Sequence, residues 1–502
     1  MDRRLFLKSS LAAATTTAFG ATATKVAWAR PNARPTLPMP GLLDLTQTGR
    51  LDLVAQQGRH RFGQDSAPSS TFGYNQAYLG PIVRANQGQE IAARILNDLR
   101  EPLATHWHGL IVPGEVDGGP HQAINPGEVW EPILPIDQPP STAWFHAHTH
   151  PHTARQVYSG LAGVFQISDG RDDERGLPHE HGVDDLTLVL QDRRFDEAGR
   201  LSYRLGMFDR MQGFRGDQIV VNGAPNPRSS VPRSIVRLRL LNGSNARIYH
   251  LRFDDGRPMH VIASDSGYWS DAVPTNELRL APGERFEVLV DFSDGRDVSL
   301  LTGPDQNRGG PGMMGMMSNM RSFTTGFLDD DLPILSFHPG GRKGAIDRMP
   351  EKIDDDLGQP PTNFARKRRF SLDMMLGGMP MGGGMMGRGG AGPTMGINGR
   401  AFDMQHINEQ VSLGTTEHWV IESDMMMHPF HIHGVRFRVL ADETGQAPRL
   451  ENRGYKDTVL VDGRAEVAVE FTQPAARETP LMYHCHILEH EDAGMMGHFS
   501  VS

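Results

Sequence analysis

A single cysteine stands in 502 residues, so no internal disulfide can form and stability must come from cores large enough to do without one. Cationic charge is also short: 50 Lys and Arg face 60 Asp and Glu, a formal net charge of −10. Removing Arg3, Arg4, Lys8 and Lys25 against Asp2 leaves about −13 on the remainder. That balance argues against nucleic acid and against an anionic membrane surface as partners. After the first thirty residues no apolar run is long enough to cross a bilayer, so no membrane span is expected. Long amphipathic helical patterns are scarce too, which disfavours an α/β arrangement.

What is present begins with an address. Arg3-Arg4-Leu5-Phe6-Leu7-Lys8, a mild apolar run through Ala14 to Ala23, and Ala27-Trp28-Ala29 read as a twin-arginine export signal over residues 1–29 with an A-x-A cleavage site. A frayed basic terminus would not need the cleavage site. The expected partner is the twin-arginine export machinery, and the expected product is a soluble periplasmic monomer. The remaining chain is long enough for roughly three domains of about 150 residues each. Runs such as Thr187 to Gln191, Arg237 to Leu241, Arg285 to Phe292, His418 to Glu422, Val435 to Leu440 and Glu466 to Phe471 alternate apolar with polar residues between Gly, Pro, Asn or Asp. The fold class they predict is all-β, with repeated Greek-key β-sandwiches.

The lone cysteine sits in His484-Cys485-His486-Ile487-Leu488-Glu489-His490, a stretch that continues to Met495. On an extended strand His484 and His486 share one face and Cys485 takes the other, so one dipeptide step joins two metal environments. Thiolate plus imidazole favours copper, and two histidines, a cysteine and a long axial methionine define a blue electron-transfer site. His490 and Met495 could complete that set with one more histidine from elsewhere. A buried free cysteine beside incidental histidines is the bland reading, and it fits this spacing poorly. Three further clusters carry the same i, i+2 spacing: His106-Trp107-His108, His146-Ala147-His148 and His428-Pro429-Phe430-His431-Ile432-His433. Singly each is weak; four together are hard to explain as surface decoration.

In these four motifs, and in much of the sequence between them, the chain resembles the three-domain multicopper oxidases, specifically the periplasmic copper-efflux (cuprous) oxidase branch. The resemblance implies three cupredoxin-like domains: residues 40–170 with cluster ligands, 171–335 without copper, a linker over 336–359, and 360–502 with the remaining ligands. It makes His428, Cys485, His490 and Met495 the type 1 copper ligands, and His106 and His431 the type 2 ligands. His108, His146, His148, His433, His484 and His486 become the ligands of a type 3 pair, giving four coppers per chain. Asp117, in the turn-rich loop after His108, and Glu491 take the positions of proton-relay acids, although Asp-Gly-Gly is also an ordinary turn signature. His150 and His152 continue the strand parity but are not ligands in the family pattern.

Two methionine-rich patches, Met313 to Met320 and Met374 to Met395, are too glycine-rich to read as core, and thioethers select the cuprous ion. A low-complexity linker without ligand duty is the alternative. By resemblance Asp424 and Met426, with Asp373 and Met374, would bind a substrate copper; Leu372 stands where a further methionine is expected. These features predict an oxidase that converts Cu(I) to Cu(II) and reduces O2 to water, with phenols or Fe(II) as further reductants. A general laccase or ferroxidase is one alternative. A non-catalytic exported copper-binding or cell-division protein is the other, although such homologues shed their histidines.

Overall fold

The alternating runs form strands because their β-branched and aromatic residues pack on pleated faces while Gly, Asn and Asp close the turns. In the computed structural model, residues 34–305, 330–375, 394–442 and 448–502 are described, and Pro35–Ser502 forms one compact unit. The export segment, the 313–320 patch and most of 374–395 lie outside the described residues. Three of the strands predicted above fall inside observed ones, Asp185–Arg193, Ile235–Asn242 and Thr416–Glu422; the other three overrun Arg285–Asp291, Arg436–Ala441 and Arg464–Glu470 by a single residue, at Phe292, Val435 and Phe471. Among the described residues no helix is long and apolar enough to cross a membrane.

Six sheets stack as three sandwiches, so the all-β, cupredoxin-like expectation holds. In the first, Leu42–Asp44, Ile82–Asn86, Ala162–Ser168, Ser141–Ala147 and Thr105–His106 form one sheet, facing another built on Arg50–His60 and Gln89–Asp98. The second sandwich opposes a seven-stranded sheet, centred on Ile235–Asn242 and Arg285–Asp291, to a five-stranded one. In the third, a six-stranded sheet faces one ordered Glu409–Val411, Met496–Val501, Leu481–Cys485, His428–Ile432, Thr458–Val461. Each sandwich holds its own apolar core. In the third, Phe370 lies 4.5 Å from Trp419 and 4.9 Å from Tyr483, ring to ring, and Phe430 pairs across strands with Cys485.

Polar groups at the seams fix the sandwiches against each other. Arg285, buried at the start of its strand in the middle sandwich, donates to Asp457 of the third at 2.8 and 2.6 Å and to the Thr142 carbonyl of the first at 2.8 Å. Beside it Lys456, fully buried, pairs with Asp265 and Glu284 at 3.1 and 3.0 Å. Gly109, at φ +87°, is required here: a Cβ would stand 2.5 Å from Arg285 Nη2. Elsewhere Asp492 of the third sandwich accepts from the amides of Thr153 and Ala154 at the first turn of Thr153–Ser159.

Two outcomes follow from this packing. Phe430→Ala should cost about 3–5 kcal/mol in chemical denaturation, the usual penalty for an aromatic-sized core cavity. Arg285→Met should cost about 3–5 kcal/mol as well, because it strands the Asp457 carboxylate in the interior.

Candidate metal centre

Extended backbone carries each histidine pair to the end of a strand and one or two residues beyond it. His106, His431 and His484 lie within strands, while His108, His148, His433 and His486 follow a strand end by one or two residues. The strand Leu481–Cys485 thus stops one residue short of the expected run, yet the alternation continues. Cys485 points into the apolar core of the third sandwich; the His484 ring meets His148 and His433, at 5.0 and 5.2 Å, and the His486 ring meets His108 and His146, at 5.0 and 5.5 Å. All eight imidazoles at the seam of the first and third sandwiches are fully buried.

Their nitrogens converge. His106 Nε2 is 3.4 Å from His431 Nε2, His148 Nε2 is 3.3 Å from His484 Nε2, and His484 Nε2 is 3.1 Å from His433 Nε2. The His106 ring stacks on His433 at 3.7 Å and His108 on His431 at 3.6 Å. Burial first, and then mutual repulsion among the rings, holds His146, His148, His433 and His484 well below the usual imidazole range. Neutral rings keep a lone pair for a metal.

Two aspartates orient the rings by a reciprocal device. Asp117, in the first sandwich, accepts from His106 of the same sandwich through its carbonyl (3.0 Å) and from His433 of the third through its carboxylate (2.8 Å). Asp457, in the third, accepts from His431 of the same sandwich through its carbonyl (2.9 Å) and from His108 of the first through its carboxylate (3.1 Å). The arrangement fixes which nitrogen carries the proton and points the other inward. Gly118, at φ +85°, permits the Asp117 turn, since a Cβ there would lie 1.8 Å from the Thr105 carbonyl oxygen. Glu491 places its carboxyl oxygens 3.6 Å from His148 Nδ1 and 3.3 Å from His484 Nδ1. Burial, then the neighbouring Asp492, pushes its carboxyl well above the ordinary range.

A second cluster lies on the other face of the same strand. His428 Nδ1 is 3.3 Å and His490 Nδ1 3.7 Å from Cys485 Sγ. The short helix Leu488–Asp492, absent from the sequence expectation, turns His490 back toward the thiol. Met495 is buried in the same core, and its carbonyl accepts from the Cys485 amide at 3.1 Å. His490 Nε2 donates to the Met211 carbonyl of the middle sandwich at 3.1 Å. Burial depresses His428 to about 3 and pushes the Cys485 thiol up, so a bound cation would have to displace the thiol proton.

The donor set fits copper. His108 Nδ1, His146 Nε2 and both nitrogens of His486 are buried without a hydrogen-bond partner, a rare state for protein polar groups unless an ion or water meets them. Ligand atoms of His106, His431 and His433, of His148, His433 and His484, and of His428, Cys485 and His490 lie within 4.8 Å of one another. Imidazole with thiolate is a copper-favouring set.

The residues expected to bind a substrate copper are placed differently. Asp424 is exposed, whereas Met426 is buried in the third core, against which Met374 packs. The Asp373 carboxylate accepts from the Ser371 hydroxyl and the Gly399 amide, both at 2.6 Å, and so secures a hairpin. Sequence reasoning missed Asp457, Arg285 and the Met211 carbonyl. The one local sign was Lys456-Asp457, a charged pair directly before the apolar run Thr458–Val461.

A cupredoxin-type sandwich set with an imidazole cluster at one seam and a histidine–cysteine cluster in the adjoining core defines a copper-binding protein. Multicopper oxidase family models match residues 57–172, 203–299 and 377–502, and the chain belongs to the multicopper oxidase family. A solved laccase-like multicopper oxidase, CueO from Ochrobactrum sp., is 40% identical, with a TM-score of 0.82, over 93% of this chain and 100% of that one. A laccase from Pediococcus acidilactici is 31% identical, TM-score 0.77, over 93% and 94%. Among curated proteins, Cell division protein FtsP of Yersinia pestis is 37% identical over 92% of this chain and 91% of its own length. FtsP of Escherichia coli is 35% identical over 93% and 92%.

These relatives correct the expectation of an enzyme. The reading of a cuprous oxidase coupled to oxygen reduction is overturned by curated relatives that match end to end and are named for cell division. The physical reason is general: one fold can serve different functions, so the architecture alone does not fix an activity.

Asp457→Asn should lower copper affinity of the eight-histidine cluster about 10–100-fold, the usual effect of losing an orienting partner. Copper at Cys485 should remain, as read by metal analysis and the visible spectrum.

Proposed function

We propose that the chain is an exported copper-binding protein that acts in cell division and does not turn over substrate. The observation that carries this reading is the full-length match to FtsP proteins at 35–37% identity. The twin-arginine pattern at Arg3-Arg4 supports export to the periplasm. In this reading His428, Cys485, His490 and Met495 hold one type 1 copper, His106 and His431 a type 2 copper, and the remaining six histidines a type 3 pair.

Copper, when bound, supplies coordination bonds between segments of the first and third sandwiches. The chain's own residues prepare for this by keeping the imidazoles buried and by pinning His106, His108, His431 and His433 at their outer nitrogens through Asp117 and Asp457. Metal binding of that kind adds directly to folding stability. The role is then mechanical: a copper-stapled, rigid body presented to the division apparatus.

Copper removal should lower the melting temperature, because each ion at a thousandfold excess over its Kd contributes about 4 kcal/mol to the native state. In a strain lacking the gene, wild-type protein should relieve chain formation. Oxygen consumption by copper-loaded protein supplied with Cu(I) should not exceed that of free copper; clear excess consumption would sink the non-catalytic reading.

A further inference from the structure

A separate group of soft donors sits outside both clusters. After Asp117 and its two glycines the chain makes a short helical turn, Pro120–Gln122, that carries His121. His121 Nε2 donates to the Met404 carbonyl at 3.2 Å. On the strand Met496–Val501, His498 is fully buried and its Nδ1 donates to the His406 carbonyl at 3.3 Å. Against carbonyl oxygens only an N–H is useful, so both tautomers are set and the opposite nitrogens carry lone pairs. Those nitrogens, His121 Nδ1 and His498 Nε2, are buried and lack any partner. The two rings lie 4.6 Å apart at 53°.

A thioether shares the sheet face of His498. Met482 is the cross-strand partner of His498, which puts the two side chains on one sheet face. Its Sδ lies 3.6 Å from where a Cβ on Gly119, two residues before His121, would stand. The same face carries His484 two residues on, about 7 Å along the strand, so this group adjoins the eight-histidine cluster. The charged neighbours are engaged elsewhere or set back. His406 Nε2 is met by Arg400 at 2.9 Å, and Asp403 accepts from the Gln405 amide at 2.9 Å. Burial, then His121, lowers His498 to about 4, so its ring stays neutral near pH 7.

We propose that His121, His498 and Met482 form a binding site for one cuprous ion beside the main cluster. Two imidazoles with their outer N–H groups pinned to carbonyls reproduce the support that metal-ligating histidines require. A thioether in place of a carboxylate selects a soft monovalent ion over Mg(II), Ca(II) or Mn(II). The position suits a holding point for copper next to the cluster, and it stands whether or not the main centre takes four ions.

Ag(I), a redox-silent stand-in for Cu(I), tests this on the copper-loaded full chain. Calorimetric titration should find one fewer Ag(I) per chain in His498→Phe and in His121→Gln than in wild type, with copper content unchanged in all three. Crystals soaked in silver should show an anomalous peak between the two rings. Equal silver stoichiometry in the three proteins, or only an ordered water between the rings, would overturn the site. His121 is half-buried on a short turn, so His121→Gln still decides the question if His498→Phe does not fold. A failure of copper loading at the main centre would count against the proposed function and would leave the silver difference readable.

Discussion

Eight buried imidazoles drawn from two sandwiches can meet a common set of ions only if the sandwiches hold a fixed separation, and the Asp117 and Asp457 pair sets it. Each aspartate grips a ring of its own sandwich through its carbonyl and a ring of the other through its carboxylate. The device has approximate two-fold symmetry, and neither half works alone. Asp457 is in turn locked by Arg285 from the middle sandwich. The middle sandwich, which holds no such cluster among the described residues, therefore governs the geometry of one between its neighbours.

That dependence explains why so many charges are buried in a chain with no disulfide. Lys456, Asp265 and Glu284 sit beside the Arg285–Asp457 pair. Buried ion pairs add little net stability over apolar packing, and their contribution is better sought in specificity of docking. Here they define one register between sandwiches that also meet through smaller apolar clusters, Trp144 and Val164 against Val189 and Leu241, and Ile248 and Ala281 against Met427 and Leu460. Functional precision in a site spanning two domains needs this kind of support.

The two faces of one strand keep two chemistries apart. Cys485 looks into an apolar core with Met495, His428 and His490, while His484 looks into the seam. The same parity places Met482 and His498 a step further along the seam side. The match to division proteins indicates that such a scaffold can persist under a different use.

By itself, the sequence determined whatever depends on short spacing. The i, i+2 histidines, the flanked cysteine and the alternating strand runs were legible because a β-strand has a period of two, and that period survives one residue past the strand end. The return of His490 on a helical turn was not legible, since five residues between apolar strands carry no periodic signal. Nor were Asp457, Arg285 and the Met211 carbonyl, because each acts on a partner in another sandwich: His108 for Asp457, Asp457 for Arg285 and His490 for Met211, 172 to 349 residues away along the chain. Function was decided by neither local motif nor geometry alone: ligand spacing encodes where a metal can bind, whereas what the bound metal serves depends on surfaces and partners assembled only in the folded protein.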